Sequence, residues 1–226
     1  MTRHPAEDGA PRPARRDLPR TSAENPAGSR DVRAQILAAT EQLLASHRFE
    51  SLSVASILDA AAVSRGSFYF YFPSKHAVLA ELVRRAVASA RQAASTWTGD
   101  DSGAPGHALR QGTHEGARLW HEHAPVLRAI VENWQSDPAL AALWAQMMDG
   151  FTAVAAERIQ ADRVAGLAPA RNNSPRTLAS VLCWMNERAW YLAAIGHPGF
   201  TDHDQLTDAL TSIWQAAIYG QGQAPT

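Results

Sequence analysis

At 226 residues, with 46% hydrophobic and 19% charged residues, the chain has enough apolar content to bury a real core, which excludes a wholly disordered polymer. Its net charge of −1 gives no global pull toward nucleic acid, so any such affinity must come from local clustering of basic residues. A single cysteine, Cys183, excludes an internal disulfide framework and fits a cytoplasmic, reducing setting. No apolar run is expected to span a membrane, and the N-terminus lacks the apolar core of a signal peptide.

Residues 1–29 read as a disordered, Arg/Pro-rich arm. Pro5, Pro11, Pro13, Pro19 and Pro26 break helices, and Arg12, Arg15, Arg16 and Arg20 make its middle basic. Such an arm either follows a minor groove or phosphates, or is a solvated leader. A first helix is expected over Asp31–Ser46, capped by Ser29 or Asp31, with Val32, Ile36, Ala39, Leu43 and Leu44 on one stripe. Arg30 and Arg33 at its start oppose the helix dipole, which suggests that they face phosphate.

The most informative stretch is Leu52–Leu79. Ser53 can cap a helix carrying Val54, Ile57, Leu58 and Ala61 on one face. Ala62 and Val63 form a turn. Ser64 can cap a second helix, Arg65–Tyr71, and Pro73 forbids its continuation. Two helices joined so tightly make a helix-turn-helix unit, whose second helix fits a major groove. Phe68 and Phe72 share a buried face. Arg65 offers a planar fork to guanine, Ser67 a small donor or acceptor, and Tyr69 and Tyr71 rings with phosphate-reaching hydroxyls. Lys75, the only lysine, opens the next helix, where ammonium and free N–H groups could bind phosphate together. With the capping Ser53 and Ser64, these residues form the expected DNA face.

A long unbroken helix, Ser74 to about Thr96, then links this unit to the rest, ended by a Gly, Asp and Pro cluster at Thr98–Gly106. The remainder is helical by period: about 107–123, 125–135, 138–163, 175–196 and 203–219. It holds large rings (Trp120, Trp134, Trp144, Phe151, Trp184, Trp190, Trp214) beside small residues such as Gly112, Gly116 and Gly150, a composition suited to tight helix packing or to a concave apolar cavity. Asn186, Glu187 and Arg188 interrupt an apolar helix. Asn186 can offer its amide to a ligand, whereas Glu187 and Arg188 serve either pairs with other helices or an internal cap or salt bridge. His107, His114 and His121 recur every seven residues, roughly 10 Å apart, too far to share a metal. No phosphate loop, nucleophile elbow or metalloprotease helix is present, so neither an enzyme nor a cofactor is expected. Cys183 reads as a small core hydrophobe.

The segment Val63-Ser-Arg-Gly-Ser-Phe-Tyr-Phe-Tyr-Phe-Pro-Ser-Lys75 resembles the recognition-helix signature of the TetR family of bacterial repressors. Trp184-Met-Asn-Glu-Arg188 and Ile213-Trp-Gln-Ala-Ala-Ile-Tyr-Gly220 resemble the EthR branch, the repressors that control ethionamide activation. The resemblance implies an all-α fold: an N-terminal three-helix helix-turn-helix DNA-binding domain over 30–73, then a linker helix with a ligand-binding and dimerisation domain over 74–226. It implies an apolar channel lined by Leu109, Thr113, Gly116, Trp120, Trp144, Met148, Phe151, Asn186, Glu187 and Trp214. It also implies a homodimer through helices 175–196 and 203–219. The chain departs from the family pattern at Ala62, where the turn usually has Gly. It departs too at Leu109, Gly116 and Val154, where relatives are aromatic, and at Cys183, an Asn position; the channel should be reshaped.

The expected function is a ligand-responsive repressor that binds a double-stranded palindromic operator and is released by a small apolar effector. The alternative from another class is a small-molecule carrier or enzyme holding an incidental helix-turn-helix.

Overall fold

The computed structural model describes the backbone at residues 26–94 and 105–220, and side chains at 31–88 and 109–220. The first 25 residues of the arm, Trp97, and residues 98–104 of the cluster lie outside it. Among the described residues eight α-helices follow in order: α1 Pro26–Ser46, α2 Val54–Ala61, α3 Arg65–Tyr71, α4 Lys75–Ala94, α5 Pro105–Asn133, α6 Pro138–Val164, α7 Pro175–Ala194 and α8 His203–Tyr219. No strand occurs among the described residues.

Helix α1 begins at Pro26, five residues before the expected start, so Ser29 and Asp31 lie inside it and do not cap it. Pro26 at the first helical position explains this, since its missing N–H would have no partner there in any case. Arg33 does not face outward to phosphate either. Its guanidinium pairs with Glu81 on α4 at 2.8 Å and lies 5.6 Å from the Phe72 ring centre, clamping α1 over α4. Burial pulls the Glu81 carboxyl up, but Arg33 and Arg85 outweigh it and hold the group below its ordinary value.

The head closes around Ile36, Leu44, Phe49, Ile57, Phe68 and Phe72, all buried. Each such side chain contributes about 1.5–3 kcal/mol by leaving water. Between α2 and α3, the N–H of Ala62 donates to the Asp59 carbonyl and that of Val63 to Leu58, while Ala62 sits at φ 53° and ψ 40°. The same paired bonds end α6 and α7, but there Gly166 (φ 75°) and Gly196 (φ 69°) occupy the left-handed position. The head thus uses alanine where the body uses glycine, at a cost of roughly 1 kcal/mol.

Helix α5 runs through Pro125 with a kink at His123 (φ −121°, ψ 22°), joining the two segments expected there. Helix α6 is, by length and composition alone, apolar enough to cross a bilayer, against the expectation that no segment would be. Its Ala-, Leu- and Met-rich sequence raises the average. One face, carrying Leu140, Trp144, Met148, Ala155 and Ile159, is buried, and the helix packs on α7, as the core helix of a globular domain does. Two hydrophobic clusters result. A larger one runs from the head into α5, α6 and α7; a smaller one joins Leu109, Ala155, Ile159, Leu182, Trp214 and Ile218.

Candidate functional site

Two features have the makings of a site, one at each end of α4. The first is α3. Ser64 caps it, its Oγ accepting from the Ser67 N–H at 3.0 Å, and the two hydroxyls lie 2.9 Å apart. Ser53 caps α2 in a reciprocal box with Ser56. Both serines therefore set helix starts at the rim of the expected DNA face. Phe68 anchors α3 with no exposure at all. Arg65 and Tyr69 are exposed, and Tyr71 is half-buried, its ring edge-on to Phe70 at 4.9 Å.

One residue of this face was missed from the sequence. Phe70 is 69% exposed, and in helical projection Gly66 and Phe70 lie nearly opposite Phe68, at the centre of the outward surface. A side chain at Gly66 would meet only Ser64 Oγ at 3.8 Å, so nothing inside the protein demands glycine there. The signal was available: a helix that buries Phe68 must turn residues 66 and 70 outward.

Lys75 departs from its expected role. Its ammonium donates to the carbonyls of Phe49 (3.1 Å), Glu50 (3.2 Å) and Leu52 (2.7 Å), and sits 4.7 Å from the Phe49 ring centre. All three N–H groups are used within the protein, so the residue is a strut between α4 and the loop before α2. Burial lowers its pKa, partly opposed by Glu50. Sequence could not reveal this, because the acceptors are main-chain groups more than twenty residues upstream.

The second feature is a cavity of about 370 Å³ in the helical domain, lying at the seam of the two hydrophobic clusters. Leu109, Thr113, Gly116, Trp120, Trp144, Met148, Phe151, Asn186, Glu187 and Trp214 all line it. So do Leu127, Val154, Cys183 and Trp190, and so does Val87 from α4. Trp190 was legible as a lining residue: Cys183, Asn186, Glu187 and Trp190 recur at the spacing of one helix face. The departures noted in the sequence, Leu109, Gly116, Val154 and Cys183, all fall on this wall.

Polar groups in the cavity are few. Trp214 Nε1 donates to Asn186 Oδ1 at 3.0 Å, tying α8 to α7 and orienting the amide. Thr113 spends its hydroxyl on the Leu109 carbonyl. Trp144 Nε1 is buried without an acceptor. Burial pushes the Cys183 thiol up to about 11, which makes it an inert apolar group. Burial likewise raises the Glu187 carboxyl, opposed weakly by Arg188 at 3.9 Å. His114 and His121 are exposed and lie off the cavity wall.

Head and cavity share elements. Helix α4 carries Val87 at the cavity and Glu81 and Lys75 at the head. Helix α5 carries Leu127 at the cavity, and the next residue, Arg128, donates to the Leu44 carbonyl of α1 at 3.2 Å.

Comparison with known proteins gives this arrangement a family. Residues 36–82 match bacterial regulatory proteins of the tetR family, and residues 109–220 match the C-terminal domain of the transcriptional regulator EthR. The HTH-type transcriptional regulator EthR of Mycolicibacterium smegmatis is 33% identical over 195 residues, covering 84% of this chain and 87% of that protein. EthR of Mycobacterium tuberculosis is 33% identical over 189 residues, covering 83% and 87%.

The chain belongs to the EthR branch of the TetR family.

It is therefore a helix-turn-helix transcriptional regulator, in a family of regulators and not of enzymes. Solved structures agree on the fold. The fatty acid degradation regulator FadR of Bacillus halodurans superposes with a TM-score of 0.67 at 17% identity, covering 85% of this chain and 97% of that one. Thermus thermophilus FadR, a TetR-family repressor in complex with lauroyl-CoA, does so at 0.62 and 22%, covering 86% and 97%.

Proposed function

We propose that this EthR-like regulator is a cytoplasmic repressor that grips a palindromic operator as a homodimer and lets go when a small apolar molecule fills the cavity. The observation that carries this reading is the pair of shared helices. Val87 and Leu127 line the cavity, while Lys75, Glu81 and Arg128, on the same two helices, hold the head. A molecule that displaces Val87 or Leu127 moves α4 or α5, and the head follows. Coupling of this kind amounts to about 1–3 kcal/mol and acts equally in both directions.

On the DNA side, Arg65, Ser67, Tyr69 and Tyr71 remain in the reading, joined by Phe70, whose ring suits a thymine methyl. Lys75 supports the head without touching phosphate. On the dimer side, α7 has two faces. Opposite its cavity face it exposes Val181 (61%) and Trp184 (38%), Ile195 just past its end is 43% exposed, and α8 exposes Ile213 (45%). Such a stripe supports pairing with a second copy, which sets two α3 helices at half-sites roughly 34 Å apart.

A titration on DNA flanking the protein's own gene, against scrambled competitor at fixed salt, tests the reading. A strong preference for a palindromic segment is expected. Equal weak binding to both DNAs, persisting after unfolding and refolding to strip any co-purified molecule, contradicts it. The carrier alternative is separated by Arg65→Ala with Tyr69→Ala: a repressor loses its operator and keeps its ligand, whereas a carrier loses nothing.

A further inference from the structure

The charge balance of the cavity points to the chemistry of its occupant. Among the described residues its wall holds two carboxylates, Glu115 and Glu187, and no lysine, arginine or histidine. The two acids differ. Glu115 is paired with Arg118, whose Nη2 and Nε donate to one of its oxygens at 2.8 and 3.0 Å while its Nη1 donates to Glu122 at 3.1 Å. Glu187 is 6% exposed and accepts no hydrogen bond from any described residue. Its nearest cation, Arg188 Nε, stands 3.9 Å away; that guanidinium is 57% exposed and stacks over Tyr191 at 5.0 Å, on the outer side of α7. A carboxylate enclosed in an apolar wall without a donor is destabilised until a partner arrives. On the same wall stand the indoles of Trp120, Trp144, Trp190 and Trp214, whose electron-rich faces attract cations, with the unpaired Trp144 Nε1 as a free indole donor among them.

We propose that the occupant is an apolar ammonium: an alkyl or aryl amine carrying one positive charge, seated on Glu187 among these indoles with its hydrocarbon body along Met148, Phe151 and Leu109. The inference deepens the effector reading above and rests on it. The ammonium supplies the hydrogen bonds and counter-charge that Glu187 lacks, and the aromatic wall compensates the loss of the cation's hydration. A neutral molecule leaves Glu187 unsatisfied or forces it to take a proton. A fatty acid brings a second negative charge beside it.

The test compares ligands of one skeleton, 4-phenylbutylamine, 4-phenylbutanol and 4-phenylbutyrate, and in parallel decylamine, decanol and decanoate. Binding to the full chain without DNA is followed by tryptophan fluorescence and checked by calorimetry. The amine of each series should bind about tenfold more tightly than its alcohol, and the acid most weakly. Glu187→Gln should bring the amine to within about twofold of the alcohol. Glu187→Met, which keeps the volume, repeats the comparison if the glutamine variant folds poorly. The proposal is overturned if the alcohol matches or exceeds the amine in the native protein, if the amine's advantage survives in both variants, or if neither amine binds at millimolar concentration. Because DNA is absent, an amine that binds with the expected preference but fails to release an operator counts against the effector reading and leaves the charge assignment standing.

Discussion

Lys75 donates from Nζ to the Leu52 carbonyl at 2.7 Å, fastening the first turn of α4 to the loop that leads into α2. With its bonds to Phe49 and Glu50, this one side chain holds three main-chain acceptors of the segment before α2. Lys75→Met, which keeps the stem and removes the charge, should destabilise the chain by about 1–3 kcal/mol, measured by urea unfolding. Operator affinity should fall while the dependence of log affinity on log salt keeps its slope. A slope reduced by about one would mark a lost phosphate contact and contradict the strut.

Ala62 occupies the left-handed position that Gly166 and Gly196 fill elsewhere in the chain. Glycine relieves the strained side chain but adds freedom to the unfolded state, so Ala62→Gly should stabilise the head by at most about 0.5 kcal/mol net. Denaturant unfolding measures it. A loss of stability would mean that the alanine methyl contributes packing that outweighs the strain.

Two phenylalanines, two positions apart on α3, should respond in opposite ways. Phe68 is fully buried, so Phe68→Ala should cost about 3–5 kcal/mol of stability. Phe70 is 69% exposed, so Phe70→Ala should leave the melting temperature nearly unchanged and weaken operator binding, at the level of a single lost base contact, about 1–3 kcal/mol. Replacing operator thymines one at a time with deoxyuridine should locate the methyl group that Phe70 meets.

Burial raises the Glu187 carboxyl above its ordinary value. The folded chain then keeps a proton at pH values where the unfolded chain has released it, so stability falls as pH rises through that window. The loss begins near the ordinary glutamate value of about 4.3 and is complete above the raised one. Ligand-free Glu187→Gln should therefore melt higher than the native protein at neutral pH, the gap closing as pH drops below about 4. Equal melting curves at pH 7 would mean that the carboxylate is satisfied by a partner.

Much of this organisation was written in local pattern. The period of apolar residues marked α8 and the turns around α2 and α3, and capping serines at Ser53 and Ser64 announced two helix starts. The ten cavity residues came from the resemblance to EthR, and tryptophans set beside glycines agreed with it. What sequence did not show depends on contacts across the fold. The three carbonyls that claim Lys75, and the carboxylate that claims Arg33, become neighbours only after α1, α2 and α4 have packed. Phe70 was hidden differently, among aromatics that looked alike until Phe68 defined the inner face.

The most direct test of the account is a paired titration: operator DNA against protein with and without the tightest-binding ligand, and that ligand against protein with and without saturating operator. The account predicts that each weakens the other by the same factor, between about 5- and 150-fold. A ligand whose affinity is unchanged by saturating operator would show that the cavity and the reading head are not coupled.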